Sequence, residues 1–201
     1  MHTIIAFDNK GNDLSSFFQM CGDETRSMSI KAKIDYSNIE TEELTSSFIN
    51  TEVSKFNGDL IFIAYSHGDE TCLYNSSTKE DYVSEIINHD IFENAFIYTF
   101  SCKTSVSLGL ELYKNGVRSY WGYKDSAWVV MEYLDEFCKC ATKGLMSLYE
   151  GNTVGDSIDQ MIQLHSDYID KLYQTDPQAA GILVQNRESL DVHGDKDIRL
   201  F

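Results

Sequence analysis

Two stretches decide how this chain folds. The first is Leu60-Ile61-Phe62-Ile63-Ala64-Tyr65-Ser66-His67-Gly68-Asp69-Glu70, an apolar run that ends in a histidine and a glycine. The second, Ala95-Phe96-Ile97-Tyr98-Thr99-Phe100-Ser101-Cys102-Lys103-Thr104, has the same construction and ends in a cysteine. Unbroken apolar runs of this length, bounded by turn residues such as Gly58 and Ser66-His67-Gly68, fit strands covered on both faces, as in a parallel sheet. Each strand stops at a side chain able to do chemistry.

Working outward, Thr3–Phe7 reads as a strand and Asp8–Asp13 as a turn rich in Asn, Asp and Gly. Leu14–Cys21 has helical character, and Met28–Ile34 alternates apolar and polar residues as a strand would. Leu44, Phe48 and Val53 give helical spacing within Ser37–Phe56. Lys79–Ile91 predicts a helix with Tyr82, Val83, Ile86 and Ile87 on one side. Ser105–Lys114 predicts another, closed by Gly116, and Val117–Tyr123 a further strand. Strand, helix, strand in succession implies an α/β doubly wound sheet. Beyond Trp128 the spacing predicts helices over Val130–Tyr149 and Ser157–Tyr173, with Asp156 as N-cap. Gly181–Asp195 reads as a late strand ending in a turn.

The chain has 201 residues, 42% of them hydrophobic, and a single proline, Pro177. That is enough for one sizeable domain spanning 1–201, with no repeat or linker. A formal net charge of -16 excludes the basic face that nucleic-acid binding requires, and it attracts basic partners weakly. No apolar run approaches the roughly 20 residues of a membrane span, and the first residues lack the pattern of a secretory signal. Five cysteines at irregular spacing then imply reduced thiols and a cytoplasmic setting rather than a disulfide framework.

Crossover connections make consecutive strands of such a sheet parallel, and a helix between His67 and Cys102 would serve as that crossover. Adjacent strands lie roughly 4.8 Å apart, so an imidazole and a thiol at neighbouring carboxyl ends can meet with a substrate between them. Open α/β sheets bind ligands at that edge. The positive end of a following helix would lower the Cys102 pKa, and the thiolate is the nucleophile. His67 would serve as general base and then as acid to a leaving amine. Gly68 has no Cβ, so its amide, with that of Cys102, suits an oxyanion hole. Against this stand the ordinary roles of a lone cysteine as a buried hydrophobe and a lone histidine as a satisfied polar residue.

Tyr65-Ser66-His67-Gly68-Asp69-Glu70 resembles the histidine motif of caspases, and Phe100-Ser101-Cys102-Lys103-Thr104 resembles the nucleophile motif of the wider caspase-like group of gingipains, separases and CHAT-domain proteases. The second motif departs from the caspase Gln-Ala-Cys-Arg-Gly. Ser107–Gly122, Leu148–Ile158 and Asn186–Leu200 are similar to later segments of the CHAT and gingipain pattern, with Lys196 where a proline is common. The resemblance covers residues 58–201. It implies a caspase-like three-layer sandwich with a mostly parallel central sheet, and peptide-bond hydrolysis by a His67–Cys102 dyad with Gly68 and Cys102 as oxyanion donors. It also implies a basic P1 residue held by Asp125, in Gly122-Tyr123-Lys124-Asp125-Ser126, where the plainer expectation is that Asp125 caps the next helix. No cofactor is implied. The expected partners are a protein or peptide substrate and a regulatory protein, in a setting such as bacterial defence or programmed death. The competing reading is a non-catalytic caspase-like module that binds a partner protein.

Other constellations carry less. Cys138 and Cys140 point to different sides of a helix and lack companion ligands, so they read as core thiols rather than a zinc site. His193 repeats the His-Gly pair but belongs to the closing strand and reads as structural. His89 and His165 fall on predicted helices. Asp69, Glu70 and Asp81 are acidic groups of the kind that bind calcium in some caspase-like proteases, but solvated acids are the default, and no metal site is expected.

Overall fold

The structure, a computed structural model, describes residues 1–56 and 60–200. Nine strands are described: β1 His2–Phe7, β2 Asp35–Glu40, β3 Leu60–Tyr65, β4 His67–Gly68, β5 Cys72–Tyr74, β6 Asp81–Ser84, β7 Phe96–Phe100, β8 Ser119–Tyr123 and β9 Leu190–Gly194. The α-helices are α1 Ser15–Ala32, α2 Ser46–Val53, α3 Leu108–Lys114, α4 Leu134–Tyr149, α5 Val154–Tyr173 and α6 Pro177–Ser189. The central sheet has the order β2-β1-β3-β7-β8-β9 and is parallel except for β9, which runs against β8.

Alternation along the strands builds two cores. Ile5, Phe7, Ile61, Ile63, Tyr65, Phe96, Tyr98, Phe100, Trp121 and Tyr123 face one side, where α1, α4, α5 and α6 contribute Phe17, Phe18, Phe137, Leu145, Met161 and Leu183. Ile4, Ala6, Leu60, Phe62, Ala64, Ile97 and Tyr120 face the other, covered by Ile49 and Val53 of α2, Leu108 and Leu112 of α3, and Leu73, Tyr82 and Val83 of β5 and β6. The result is the three-layer α/β sandwich with a mostly parallel sheet. Helix α4 lies so close to the sheet that a Cβ on Gly144 would fall 2.0 Å from the Trp121 ring.

Several elements differ from their sequence reading. Met28–Ile34 is not a strand. Helix α1 continues to Ala32, burying Cys21, Gly22, Thr25, Met28 and Ser29 on one face, and Lys33 ends it in the left-handed conformation (φ 58°). The small and polar residues on that face hide the helical period. Lys79–Ile91 is not a helix: Asp81–Ser84 is the strand β6 of a small antiparallel sheet, β4-β5-β6, which occupies the connection from β3 to β7. Tyr82 and Val83 are buried, whereas Ile86 is 85% exposed. Gly181–Ser189 belongs to α6, which starts at Pro177 behind an Asp176 cap that accepts from the Ala179 N–H. Thr153, not Asp156, caps α5, its hydroxyl accepting from the Asp156 N–H at 3.0 Å. Gly58 and Asp59, and Phe201 at the end of the span, lie outside the described residues.

Candidate active site

Strands β3 and β7 are parallel neighbours whose register sets Ala64 against Thr99 and Tyr65 against Phe100. His67 and Cys102 each follow two residues beyond that last pair. Both therefore leave the carboxyl edge of the sheet at the same height.

The chain beyond β3 folds back as β4, with His67 opposite Tyr74 and Gly68 opposite Leu73 in β5. The imidazole sits between two rings. Tyr74 stacks on it at 5.8 Å and 20°, and it meets the Phe18 ring edge-on at 5.6 Å and 85°. Burial pulls the His67 pKa below its ordinary 6.5, with the Asp8 carboxylate opposing and Lys79 adding to the shift. The ring is neutral near pH 7, the state a general base needs. Asp8, at the end of β1, is itself fully buried and accepts from Thr41 Oγ1 at 3.0 Å and from the Ser76 N–H at 2.9 Å. That knot ties the loop after β1 to the loop after β2 and to the β5–β6 turn.

Gly68 marks a close approach. A Cβ there would lie 2.6 Å from Thr104 Cγ2, 2.9 Å from the Cys72 carbonyl oxygen and 3.1 Å from Ser101 Cβ. The bare backbone lets the histidine strand rest directly on the turn that carries Cys102. The contact continues through the Leu108 N–H to the Glu70 carbonyl at 2.9 Å and through Lys103 Nζ to the Glu70 carboxylate at 3.6 Å.

Cys102 is half-buried in a turn between β7 and α3. Lys103 immediately after it is left-handed (φ 58°), a conformation that costs a non-glycine residue roughly 1–2 kcal/mol and that reverses the chain sharply beside the thiol. The Lys103 N–H donates to the Asp125 carbonyl at 3.1 Å. The thiol donates to the Ala127 carbonyl at 3.7 Å. No hydrogen bond joins Cys102 to His67 among the described residues.

Helix α3 starts only at Leu108, so its positive end does not act on the sulfur. Burial pushes the Cys102 thiol up instead, opposed by its Ala127 bond, by Lys103 and by Ser126, and reinforced by Asp125. Both shifts favour the neutral forms of the thiol and the imidazole, and the expected lowering of the Cys102 pKa by a helix end does not occur.

Asp125 is exposed, and its carboxylate accepts from the Ser126 N–H at 2.7 Å. The next helical turn begins at Met131, so Asp125 caps no helix. After it the chain runs without regular structure through Ala127 to Val130, with the Trp128 side chain 54% exposed. The main chain of Trp128 is held from behind by Asn186 of α6. The Trp128 N–H donates to Asn186 Oδ1 at 3.0 Å, and Asn186 Nδ2 donates to the Trp128 carbonyl at 2.7 Å. Tyr74, Ala127 and Asn186 are the site neighbours that sequence reasoning missed. Tyr74 reaches the site through the β4–β5 pairing, and the contacts of Ala127 and Asn186 span 25 and 58 residues, so no local pattern signals them.

The remaining candidates lie elsewhere or are otherwise engaged. Asp69 Oδ1 accepts from the Thr71 N–H, Thr71 Oγ1, the Cys72 N–H and Cys72 Sγ, all within its own turn. Cys138 and Cys140 are buried on α4. Among the described residues no three His, Cys, Asp or Glu side chains gather in a way that would hold a metal, and no helix is long and apolar enough to cross a membrane. His165 is buried on α5 and bonds the Met161 carbonyl; His89 lies outside any helix.

No family model and no curated protein matches this chain. Solved structures do. The Arg-specific cysteine proteinase gingipain R superposes with a TM-score of 0.66 at 12% identity, over 98% of this chain and 46% of the gingipain chain. The complex of the pro- and mature domains of RgpB from Porphyromonas gingivalis gives 0.61 at 12%, over 98% and 47%. A pro-form of sf-caspase-1 gives 0.54 at 9%, over 96% of this chain and 89% of that one. The chain thus has the caspase-like fold of these cysteine proteases and spans about half the length of the gingipain chains.

Proposed function

We propose that the chain is a cysteine endopeptidase that cleaves a protein substrate through Cys102 and His67. One observation carries this reading: the parallel register of Tyr65 with Phe100, which brings both groups to one sheet edge. The likeness of the fold to gingipain and caspase-1 supports it. The chemistry starts from the neutral pair. On substrate binding His67 takes the thiol proton, and the Cys102 sulfur attacks the scissile carbonyl carbon. The carbonyl oxygen becomes an oxyanion facing the Gly68 and Cys102 amides. Collapse breaks the C–N bond, His67 gives its proton to the leaving amine, and a thioester remains. Water then attacks, losing a proton to His67, and releases the acid and the thiol.

Asp125 supplies the pocket for a basic P1 side chain. Its exposed carboxylate hangs from the strand end stitched to Lys103, the net charge of -16 favours basic segments, and one structural neighbour is itself Arg-specific. The resemblance of Phe100–Thr104 and the segments after it supports placing the chain with the gingipain, separase and CHAT-type proteases. The resting thiol, raised in pKa and turned to Ala127 rather than His67, supports activation by a regulatory protein, in a cytoplasmic defence or programmed-death response.

The test is cleavage-site mapping in a host proteome, wild type against Cys102→Ala, followed by peptides with Arg, Lys, Asp or Leu at P1. Cleavage after Arg and Lys that vanishes in the variant is expected. Identical proteomes would overturn the enzyme, and cleavage only after Asp would overturn the Asp125 pocket.

A further inference from the structure

The turn that carries Cys102 is held from a third side by the closing strand. Strand β9 runs antiparallel to β8 with His193 opposite Tyr120 and Asp191 opposite Gly122. Two residues apart on one strand, the two side chains share a face. It is the face of Tyr120 and α3, over which the nucleophile turn passes. There they meet Ser105, which is 1% exposed and lies three residues beyond Cys102.

The three side chains have the composition of a hydrolytic triad, but their protons are arranged otherwise. His193 Nε2 lies 2.6 Å from the Ser105 carbonyl oxygen, which can only accept, so Nε2 carries the proton. It cannot then take a proton from the Ser105 hydroxyl, 3.2 Å away. That hydroxyl donates to Asp191 Oδ2 at 2.7 Å. With its N–H bonded to the Tyr123 carbonyl at 3.1 Å, Ser105 has its amide, hydroxyl and carbonyl all engaged. A buried serine so bound is an anchor, not a nucleophile.

We propose that His193 and Asp191 are positioning residues for Cys102: through Ser105 they fix the turn that sets the sulfur against His67 and the scissile carbonyl. This rests on the protease reading for its catalytic consequence. The Ser105 amide ties the turn to Tyr123 at the end of β8, and the Lys103 amide ties it to Asp125 just beyond. The side-chain bonds from β9 add a second attachment at the same Ser105, two residues beyond the left-handed Lys103. The catalytic part of the fold is thereby completed by a strand nearly ninety residues later in sequence, |i−j| = 88 for Ser105 and His193.

The experiment compares wild type with His193→Ala, His193→Gln and Asp191→Ala. It measures amide exchange over residues 103–106, alkylation of Cys102 by iodoacetamide located by mass spectrometry, melting temperature, and kcat and KM on a cleaved peptide. Glutamine can return an N–H donor near the Nε2 position. The expected result is faster exchange of the turn and faster alkylation of Cys102 in His193→Ala. It also includes a kcat lower by about tenfold at near-constant KM, the scale expected when a reacting group is slightly misplaced, and recovery of all three in His193→Gln. Asp191→Ala should behave as His193→Ala. Exchange and alkylation unchanged in both alanine variants would overturn the proposal, as would a loss that glutamine fails to restore at an unchanged melting temperature. A wild-type protein that cleaves nothing would sink the protease reading while leaving the exchange and alkylation results to decide the anchor.

Discussion

Tyr65 of β3 stands opposite Phe100 of β7, the last pair of a parallel ladder, and the residues two steps beyond each are His67 and Cys102. A sheet register, not a local loop, therefore matches the imidazole to the thiol. The turn after β7 and the two-residue strand after β3 then pack on each other through a glycine.

That glycine is the first test. Any side chain at Gly68 meets Thr104 Cγ2 at 2.6 Å and the Cys72 carbonyl at 2.9 Å. Gly68→Ala should lift the histidine strand from the nucleophile turn, lowering kcat/KM by about a hundredfold, as a displacement near 1 Å does. The overpacking should cost roughly 1–3 kcal/mol of stability. Steady-state kinetics and thermal melting check the two together.

Asn186 is 1% exposed and makes both main-chain hydrogen bonds of Trp128. Asn186→Ala removes two hydrogen bonds from the partly buried main chain of Trp128, which should cost about 1–2 kcal/mol. It also frees the segment whose Ala127 carbonyl receives the Cys102 thiol, so cleavage should weaken by more than the melting shift explains at a temperature where the fold is intact. Denaturant titration and peptide kinetics on the same preparation measure both effects.

Stability should depend on pH through His165. Burial lowers its pKa from 6.5 to about 4 in the folded chain, while the unfolded chain keeps the ordinary value. Above pH 6.5 neither state holds the proton and the stability is full. As pH falls from there the unfolded chain takes the proton first, so stability declines until about pH 4 and then levels. The total loss is about 3 kcal/mol. His165→Asn, which keeps a donor near the Met161 carbonyl, should flatten this part of the curve in urea titrations across that range.

Much of the fold is legible in the residues. Leu60–Tyr65 and Phe96–Phe100 are covered on both faces, so every side chain is apolar or small and the strands declare themselves. The same feature exposed the two chemical groups at their ends. What is hidden depends on partners far away in sequence. Asp81–Ser84 pairs with β5, yet its neighbours Ile86 and Ile87 imitate a helical period. Helix α1 buries Gly22, Thr25 and Ser29, whose polarity masks the stripe. The Asp176-Pro177 start of α6 was a readable signal, overridden by the β-rich look of Ile182-Leu183-Val184. The orientation of the thiol toward Ala127, and the direction of its pKa, follow from burial and from a segment 25 residues away (|i−j| = 25). No local pattern encodes them.

The central claim is that Cys102 is a nucleophile served by His67. Its most direct measurement is covalent capture of the intact protein by a peptidyl chloromethyl ketone with a basic P1 residue, the modified residue located by mass spectrometry. The account predicts a single adduct on Cys102, formed in wild type and slowed by about a hundredfold or more in His67→Ala, the range expected for a lost general base. Capture spread over other cysteines such as Cys72, or an adduct on Cys102 that forms equally fast without His67, would contradict it.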